Sequence, residues 1–245
     1  MPPLDSHTLQ AGQDRLVTVI IPALNEAGNI RHLVEEVRAT AEAAVLVVDN
    51  GSQDATGEEA LAGGARLVRE PRRGYGYACA AGTAAAGEAE VLVFLDGDYS
   101  FLPADLPRLL APILAGQADL VLGSRELGHI APGAMPPHQR LGNRLVAGLM
   151  KRLYGLQISD LGPYRAVRRA CLERLDMREM TYGWPAEMIV KAARCGARIC
   201  EVPVSYHSRR AGRSKVSGSL RGTLLAAWFI LGVTLRYAWG DDYTR

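Results

Sequence analysis

Four short apolar runs limit this chain more than anything else in it. They are Leu16–Pro22 (LVTVIIP), Ala44–Val48 (AVLVV), Val91–Leu95 (VLVFL) and Leu120–Gly123. Each is rich in β-branched or large apolar residues and has no polar alternation, as expected of a strand buried on both faces in a parallel sheet. Helix-length segments separate them. Asn29 is placed to cap a helix running to about Ala44, with Ile30, Leu33, Val34 and Val37 on one face. A short helix from about Ala55, a short strand at Arg66–Val68 and a small-residue helix over Tyr75–Ala86 follow. Strands alternating with helices predict an open α/β sheet with parallel neighbours. Ligands of such sheets sit at the carboxyl ends of the strands. Here those ends carry Asn25-Glu26, Asp49, Asp96 with Asp98, and Arg125.

The pattern changes beyond about residue 136. Helices are predicted over His138–Leu153 and Pro185–Cys195, and strands over Ile199–Val202 and Val204–His207. A polar, glycine-containing stretch, Ser208–Ser219, precedes a last apolar helix. Its core, Gly222–Leu235, is 14 uncharged residues between Arg221 and Arg236, whereas about 20 are needed to span a bilayer. Trp228, Tyr237 and Trp239 suit a membrane interface; burial in the core or a contact with a second copy of the chain is equally open. The expected organisation is a tail at 1–15, a main domain at 16–220 divided near 135, and a C-terminal helix and tail at 221–245.

Composition narrows the class. With 245 residues, 48% hydrophobic and 22% charged, the chain is globular and neither disordered, collagen-like nor a disulfide scaffold. Cys79, Cys171, Cys195 and Cys200 form no CxxC pair, so a structural zinc site is not expected, and their scatter suits a reducing compartment. The first 14 residues lack the apolar stretch of a signal peptide. Residues 1–135 hold 9 Lys/Arg against 18 Asp/Glu, and residues 136–245 hold 19 against 8. An acidic half followed by a basic half suggests metal chemistry in the first and contact with a polyanion or membrane surface in the second. No aromatic interleaving or known nucleic-acid module accompanies the basic residues, so nucleic acid is not an expected partner.

The first βα turn, Pro22-Ala23-Leu24-Asn25-Glu26, lacks the glycines of a dinucleotide fingerprint, and there is neither a Walker A nor an HExxH motif. Asn50-Gly51-Ser52 matches a glycosylation sequon, read as coincidence at a strand end. Asp96-Gly97-Asp98 presents two carboxylates, one small residue apart, able to face a divalent cation bridging a diphosphate. A bare DxD is usually an acidic turn; three other polar strand ends beside it favour a site. Asp49 suits a base N–H or a ribose hydroxyl, or else a turn. Arg72-Arg73-Gly74 is a flexible basic loop, near phosphate or simply solvated. Arg125 is a site residue by its strand-end position, with a salt bridge as the alternative. Arg209, Arg210, Arg213 and Lys215, with Gly212, form a cationic loop able to close over a diphosphate.

These segments, in order, resemble family 2 glycosyltransferases of the GT-A fold, in the dolichyl-phosphate mannose/glucose synthase-like branch. The matching stretches are Val19–Ile30 (VIIPALNEAGNI), Val47–Thr56 (VVDNGSQDAT), Arg73–Gly82 (RGYGYACAAG), Phe94–Pro103 (FLDGDYSFLP), Gly123–Arg125 (GSR), Asp160–Arg165 (DLGPYR), Tyr182–Lys191 (YGWPAEMIVK) and Val202–Gly218 (VPVSYHSRRAGRSKVSG). The resemblance implies a Rossmann-like open mixed sheet with helices on both faces. It implies that Pro22, Ala23, Asn25, Glu26 and Asp49 line the nucleotide pocket, and that Asp96 and Asp98 hold Mg²⁺ or Mn²⁺ on the diphosphate. Arg125 would lie near the phosphates, Asp160 and Arg165 on the acceptor side. Arg209, Ser214 and Lys215 would belong to the loop over the diphosphate.

The resemblance also implies an inverting transfer of a hexose, glucose or mannose, from a UDP- or GDP-sugar to a polyprenyl phosphate. The protein would then be cytoplasmic and peripheral at the inner face of the cell membrane. A phosphate acceptor is largely ionised at neutral pH, with a second pKa near ~6, and needs positioning more than a base. A hydroxyl acceptor would make Asp160 or Glu187 the base; for Glu187 a structural pairing with a cation stands equally. Leu161-Gly162-Pro163-Tyr164 departs from the small polar residue before Gly-Phe common in polyprenyl-phosphate enzymes, which leaves a soluble phosphorylated metabolite or a glycan as alternative acceptors. No QxxRW motif marks a processive synthase, and only the 222–235 segment could stand in for a membrane anchor. A nucleotidyltransferase would carry a GxGxR loop near the first strand. A non-catalytic nucleotide-sugar-binding module would have had no reason to keep both Asp96 and Asp98.

Overall fold

The computed structural model describes residues 16–212 and 220–239. Ser214 and Lys215, with Arg213 between the described segments and the 1–15 tail, lie outside them. Seven strands form one sheet: β1 (Val17–Ala23), β2 (Ala44–Asp49), β3 (Arg66–Arg69), β4 (Val91–Phe94), β5 (Leu120–Ile130), β6 (Arg165–Arg168) and β7 (Ile199–Tyr206). Their order is β3-β2-β1-β4-β6-β5-β7. β1, β2, β3 and β4 are parallel, and β6 runs antiparallel to both β4 and β5. β7 closes the sheet parallel to β5.

The helices are α1 (Ala27–Thr40), α2 (Thr56–Ala62), α3 (Tyr75–Ala85), α4 (Leu106–Leu114), α5 (Pro137–Tyr154), α6 (Arg169–Arg174), α7 (Trp184–Arg194) and α8 (Leu220–Trp239). Alternate residues of each strand feed two cores. Val19, Ile21, Val45 and Val47 pack with Ile30, Leu33, Val34 and Val37 of α1 and with Leu106, Leu109 and Ile113 of α4. Ile20, Leu46, Val48, Leu92 and Phe94 face α3, α5, α6 and α7, and Val233 of α8 joins that second core. Apolar side chains on both strand faces bring helices onto both, which is why the runs carry no alternation.

Several elements differ from the sequence expectation. The first helix begins at Ala27, so Asn29 lies inside its first turn, buried, and donates to Glu26 Oε2 at 2.8 Å. The two C-terminal strands are one, β7, with Pro203 exposed within it. β5 runs on to Ile130, with a register shift between Ser124 and His129. α4 carries Pro107 in its first turn and Pro112 inside, which hides its period in the sequence. β6 is four residues with arginine at both ends, too short and too charged to read as a strand. α8 buries Val233 and Thr234 and leaves Leu225, Trp228, Leu231 and Leu235 exposed. No helix among the described residues is long and apolar enough to cross a membrane.

Candidate active site

The chain runs from β1 outward to β2 and β3, then returns to place β4 on the other side of β1. That reversal opens a crevice at the carboxyl ends of β1 and β4. Ala23 and Asp49 are register partners at the ends of β1 and β2. Beyond β1, Asn25 takes a left-handed φ of 52°, a conformation asparagine tolerates better than most residues. Its N–H donates to Ser52 Oγ at 2.9 Å, and its Oδ1 accepts the Gln53 N–H at 2.8 Å. Asp49 Oδ1 accepts the Ser52 N–H at 2.8 Å. The loops after β1 and β2 are thereby stitched into one rim carrying Pro22, Ala23, Asn25, Glu26 and Asp49.

Asn50 belongs by sequence to a chance sequon. Here it is buried and donates to the carbonyls of Glu70 at 3.0 Å and Arg72 at 2.7 Å, while accepting the Gly74 N–H at 2.9 Å. It holds the Arg72-Arg73-Gly74 loop to the strand ends. A Cβ on Gly74 would lie 2.4 Å from the Met180 carbonyl oxygen, and its φ is 151°, so only glycine allows this approach.

Asp96 and Asp98 lie just past β4. Asp98 Oδ1 accepts the Ser100 N–H at 3.0 Å and its hydroxyl at 2.6 Å; Oδ2 accepts Arg209 Nη1 at 3.0 Å. Arg209 also bonds Glu26 through Nη2, and Asn29 donates to the Ala211 carbonyl at 3.2 Å. The segment after β7 is thus laid over the start of α1. Asp96 Oδ1 is buried and has no hydrogen-bond partner. Burial, then the Asp98 charge, push the Asp96 carboxyl up to about 7, against the Tyr75 hydroxyl and the charges of Arg125 and Arg209. Tyr99 next to this turn has a φ of 60°, a strained position costing on the order of 1–3 kcal/mol and typical of functional loops.

A buried carboxylate oxygen without a partner, one residue from a second carboxylate, suits a hard divalent cation. No group of three or more His, Cys, Asp or Glu able to hold a metal occurs among the described residues. Asp96 and Asp98 are a pair of carboxylates that fits such a cation.

Arg125, on β5, is held by Asp160. Its N–H and Nε donate to Asp160 Oδ2 and its Nη2 to Oδ1, all at 2.7 Å. Its guanidinium lies 5.1 Å from the centre of the Tyr206 ring. Asp160 is fully buried, and both its oxygens are occupied by Arg125, so it is placed as the partner of that arginine and not as a base facing a hydroxyl acceptor.

Residues 18–176 match the family described as Glycosyl transferase family 2. The chain belongs to this family. It is 40% identical over 210 residues to an uncharacterized glycosyltransferase of Mycobacterium tuberculosis, covering 86% of this chain and 94% of that one. It is 36% identical to the polyprenol monophosphomannose synthase of Mycolicibacterium smegmatis, over 93% of this chain and 91% of the relative. The undecaprenyl-phosphate mannosyltransferase of Micrococcus luteus is 35% identical, over 84% of this chain and 89% of that protein. Among solved structures, glucosyl-3-phosphoglycerate synthase of Mycobacterium tuberculosis, in complex with Mn²⁺, UDP-glucose and phosphoglyceric acid, superposes with a TM-score of 0.73 at 24% identity. That match covers 97% of this chain and 85% of the neighbour, and it shows a shared GT-A fold.

In this family 2 glycosyltransferase two expected site residues are buried among protein partners. The resemblance implies Arg165 on the acceptor side. This arginine is 1% exposed, and its guanidinium donates to the carbonyls of Gly162 and Pro185, at 2.5 and 2.8 Å. It shapes the 161–163 segment from inside. Glu187, the other base candidate, is fully buried on α7 and pairs with the equally buried Lys191 at 2.7 Å. It also accepts the N–H groups of Arg178 at 3.0 Å and Glu179 at 2.8 Å and the Tyr237 hydroxyl at 2.8 Å. This carboxylate holds α8 and the 178–179 turn in place. Glu201, not singled out in the sequence, accepts the Ser159 and Asp160 N–H groups at 2.8 and 3.0 Å and so supports the Asp160–Arg125 pair.

Proposed function

We propose that this glycosyltransferase moves a hexose from a UDP- or GDP-sugar to a polyprenyl phosphate at a membrane surface, aided by Mg²⁺ or Mn²⁺. One observation carries the choice of acceptor: Asp160 and Glu187, the two base candidates, and Glu201 beside Asp160 are all engaged by arginine, lysine or backbone N–H groups. A hydroxyl acceptor needs a base there. A phosphate, already largely ionised at neutral pH, needs only to be oriented by cations. The relatives named for polyprenol and undecaprenyl phosphate agree with this reading.

Asp96 and Asp98 would hold the cation, which supplies charge neutralisation on the donor diphosphate. Arg209, at the rim between Glu26 and Asp98, adds positive charge where the nucleoside diphosphate departs. Arg125, fixed by Asp160, orients the incoming phosphate. The rim of Pro22, Ala23, Asn25 and Asp49 takes the nucleoside. Ser214 and Lys215 are proposed to extend the cationic loop.

The surface suits lipid. α5 and α8 contain no Asp or Glu, and Leu141, Leu145, Trp228, Leu231 and Leu235 are exposed on them. Apolar side chains among cations favour an anionic membrane interface.

The test is a screen of UDP-glucose, GDP-mannose and related donors with Mg²⁺ or Mn²⁺. Detergent-dispersed undecaprenyl phosphate, 3-phosphoglycerate or no acceptor is added, and nucleoside diphosphate release is read. Release with one donor and only with the lipid phosphate is expected. Release dependent on 3-phosphoglycerate instead would replace the lipid with a soluble phosphorylated acceptor.

A further inference from the structure

Asn143 lies in the middle of α5, where asparagine is a poor helix former. Its side chain is turned toward the protein. Nδ2 donates to the Ser159 carbonyl at 3.1 Å, and Oδ1 accepts the Leu161 N–H at 3.0 Å. One amide therefore grips the backbone on both sides of Asp160, in a stretch with no helix or strand of its own. Asp160 in turn holds Arg125 through three bonds of 2.7 Å. Leu141 and Leu145, which flank Asn143 on the same helix, are 60% and 65% exposed. α5 is seated by Val146, Ala147 and Met150, so the amide is not what attaches the helix.

We propose that Asn143 is a positioning residue of the transfer reaction, tying α5, one of the two helices that carry the exposed apolar side chains, to the segment that orients Arg125. The proposal rests on the lipid-phosphate reading for the identity of the acceptor, and on the Asn143 geometry for the rest. A helix pressed against a lipid surface by Leu141 and Leu145 then sets the place of the phosphate-orienting arginine through one side chain. Two neutral hydrogen bonds support a loss of about tenfold when both are removed.

The experiment uses the full chain and vesicles of anionic phospholipid containing undecaprenyl phosphate. N143A removes both bonds. N143D keeps the shape and the acceptor for Leu161 but cannot donate to Ser159. Both are expected to raise the acceptor KM, N143A by about tenfold, with the nucleotide-sugar KM close to wild type and the melting temperature lowered by only a few degrees. An unchanged acceptor KM in both variants would overturn the proposal. So would an equal loss for donor and acceptor with a larger fall in melting temperature, which is the mark of a purely structural contact. Wild-type protein inactive on these vesicles would refute the lipid reading alone. The same KM comparison is then made with the soluble phosphorylated acceptor that the wild type uses.

Discussion

Arg209 donates to Asp98 across 3.0 Å, joining the segment after β7 to the turn after β4. The same guanidinium bonds Glu26, so one arginine bridges the nucleotide rim and the carboxylate pair. Its Nε is buried and has no partner, leaving a donor ready for an anion.

That geometry gives the first prediction. R209A should weaken nucleoside diphosphate binding about 10- to 150-fold, the value of one hydrogen bond to a charged group, without unfolding the protein. Calorimetric titration with UDP and GDP in the presence of Mn²⁺ measures it. An affinity equal to wild type would remove Arg209 from the diphosphate site.

Asp160 is fully buried against an Arg125 side chain that is 14% exposed. Removing one partner of such a pair leaves an uncompensated charge, costing about 3–5 kcal/mol. D160N is expected to lower the unfolding free energy by that amount, and so to unfold at a lower denaturant concentration. Displacing Arg125 should also lower kcat/KM about a hundredfold. Denaturation curves and initial rates separate the two effects; full activity would show that the pair does not position the acceptor.

Glu187 makes the opposite prediction for activity. E187Q takes the paired carboxylate from Lys191, which is 0% exposed and still donates to the Asp176 carbonyl, and should cost about 3–5 kcal/mol of stability. The folded enzyme should keep its KM values and its pH–rate profile. A rate loss of several hundredfold at unchanged stability would restore Glu187 as a catalytic base.

The strand ends were legible in the sequence because two simple forces act there. Apolar β-branched runs must be buried, and the polar residues that end them must face the crevice. Asp96, Asp98, Asp49 and Asn25 follow from that. The roles of Arg165, Glu187 and Asn143 depend on what the chain brings beside them. Arg165 meets Pro185, 20 residues away, and Asn143 meets Ser159, 16 residues away. Spacing alone does not say whether an arginine points at solvent or caps carbonyls inside. β6 escaped for the same reason: four residues become a strand only because β4 and β5 lie on either side.

Asp119 offers a pH test of the fold. Hydrogen bonds from Arg198, which joins the start of β7 to the start of β5, hold its carboxyl at about 2, below the usual 3.8. The folded form thus binds its proton later than the unfolded chain. The stabilisation is present above about pH 4 and disappears as pH falls toward 2. R198A should melt below wild type at pH 7, and the gap should close between pH 4 and 2. A gap independent of pH would mean that the pair contributes through packing alone.

The most direct test of the account is transfer of labelled sugar into organic-extractable lipid, from the donor found by screening. Vesicles with and without undecaprenyl phosphate, and with Mn²⁺ or EDTA, are compared for wild type and D98N. The account predicts labelled lipid only when wild-type protein, metal and undecaprenyl phosphate are present together. Labelled lipid formed equally by D98N, or in EDTA, would contradict the role given to the carboxylate pair. Label found only in a water-soluble product would contradict the lipid acceptor.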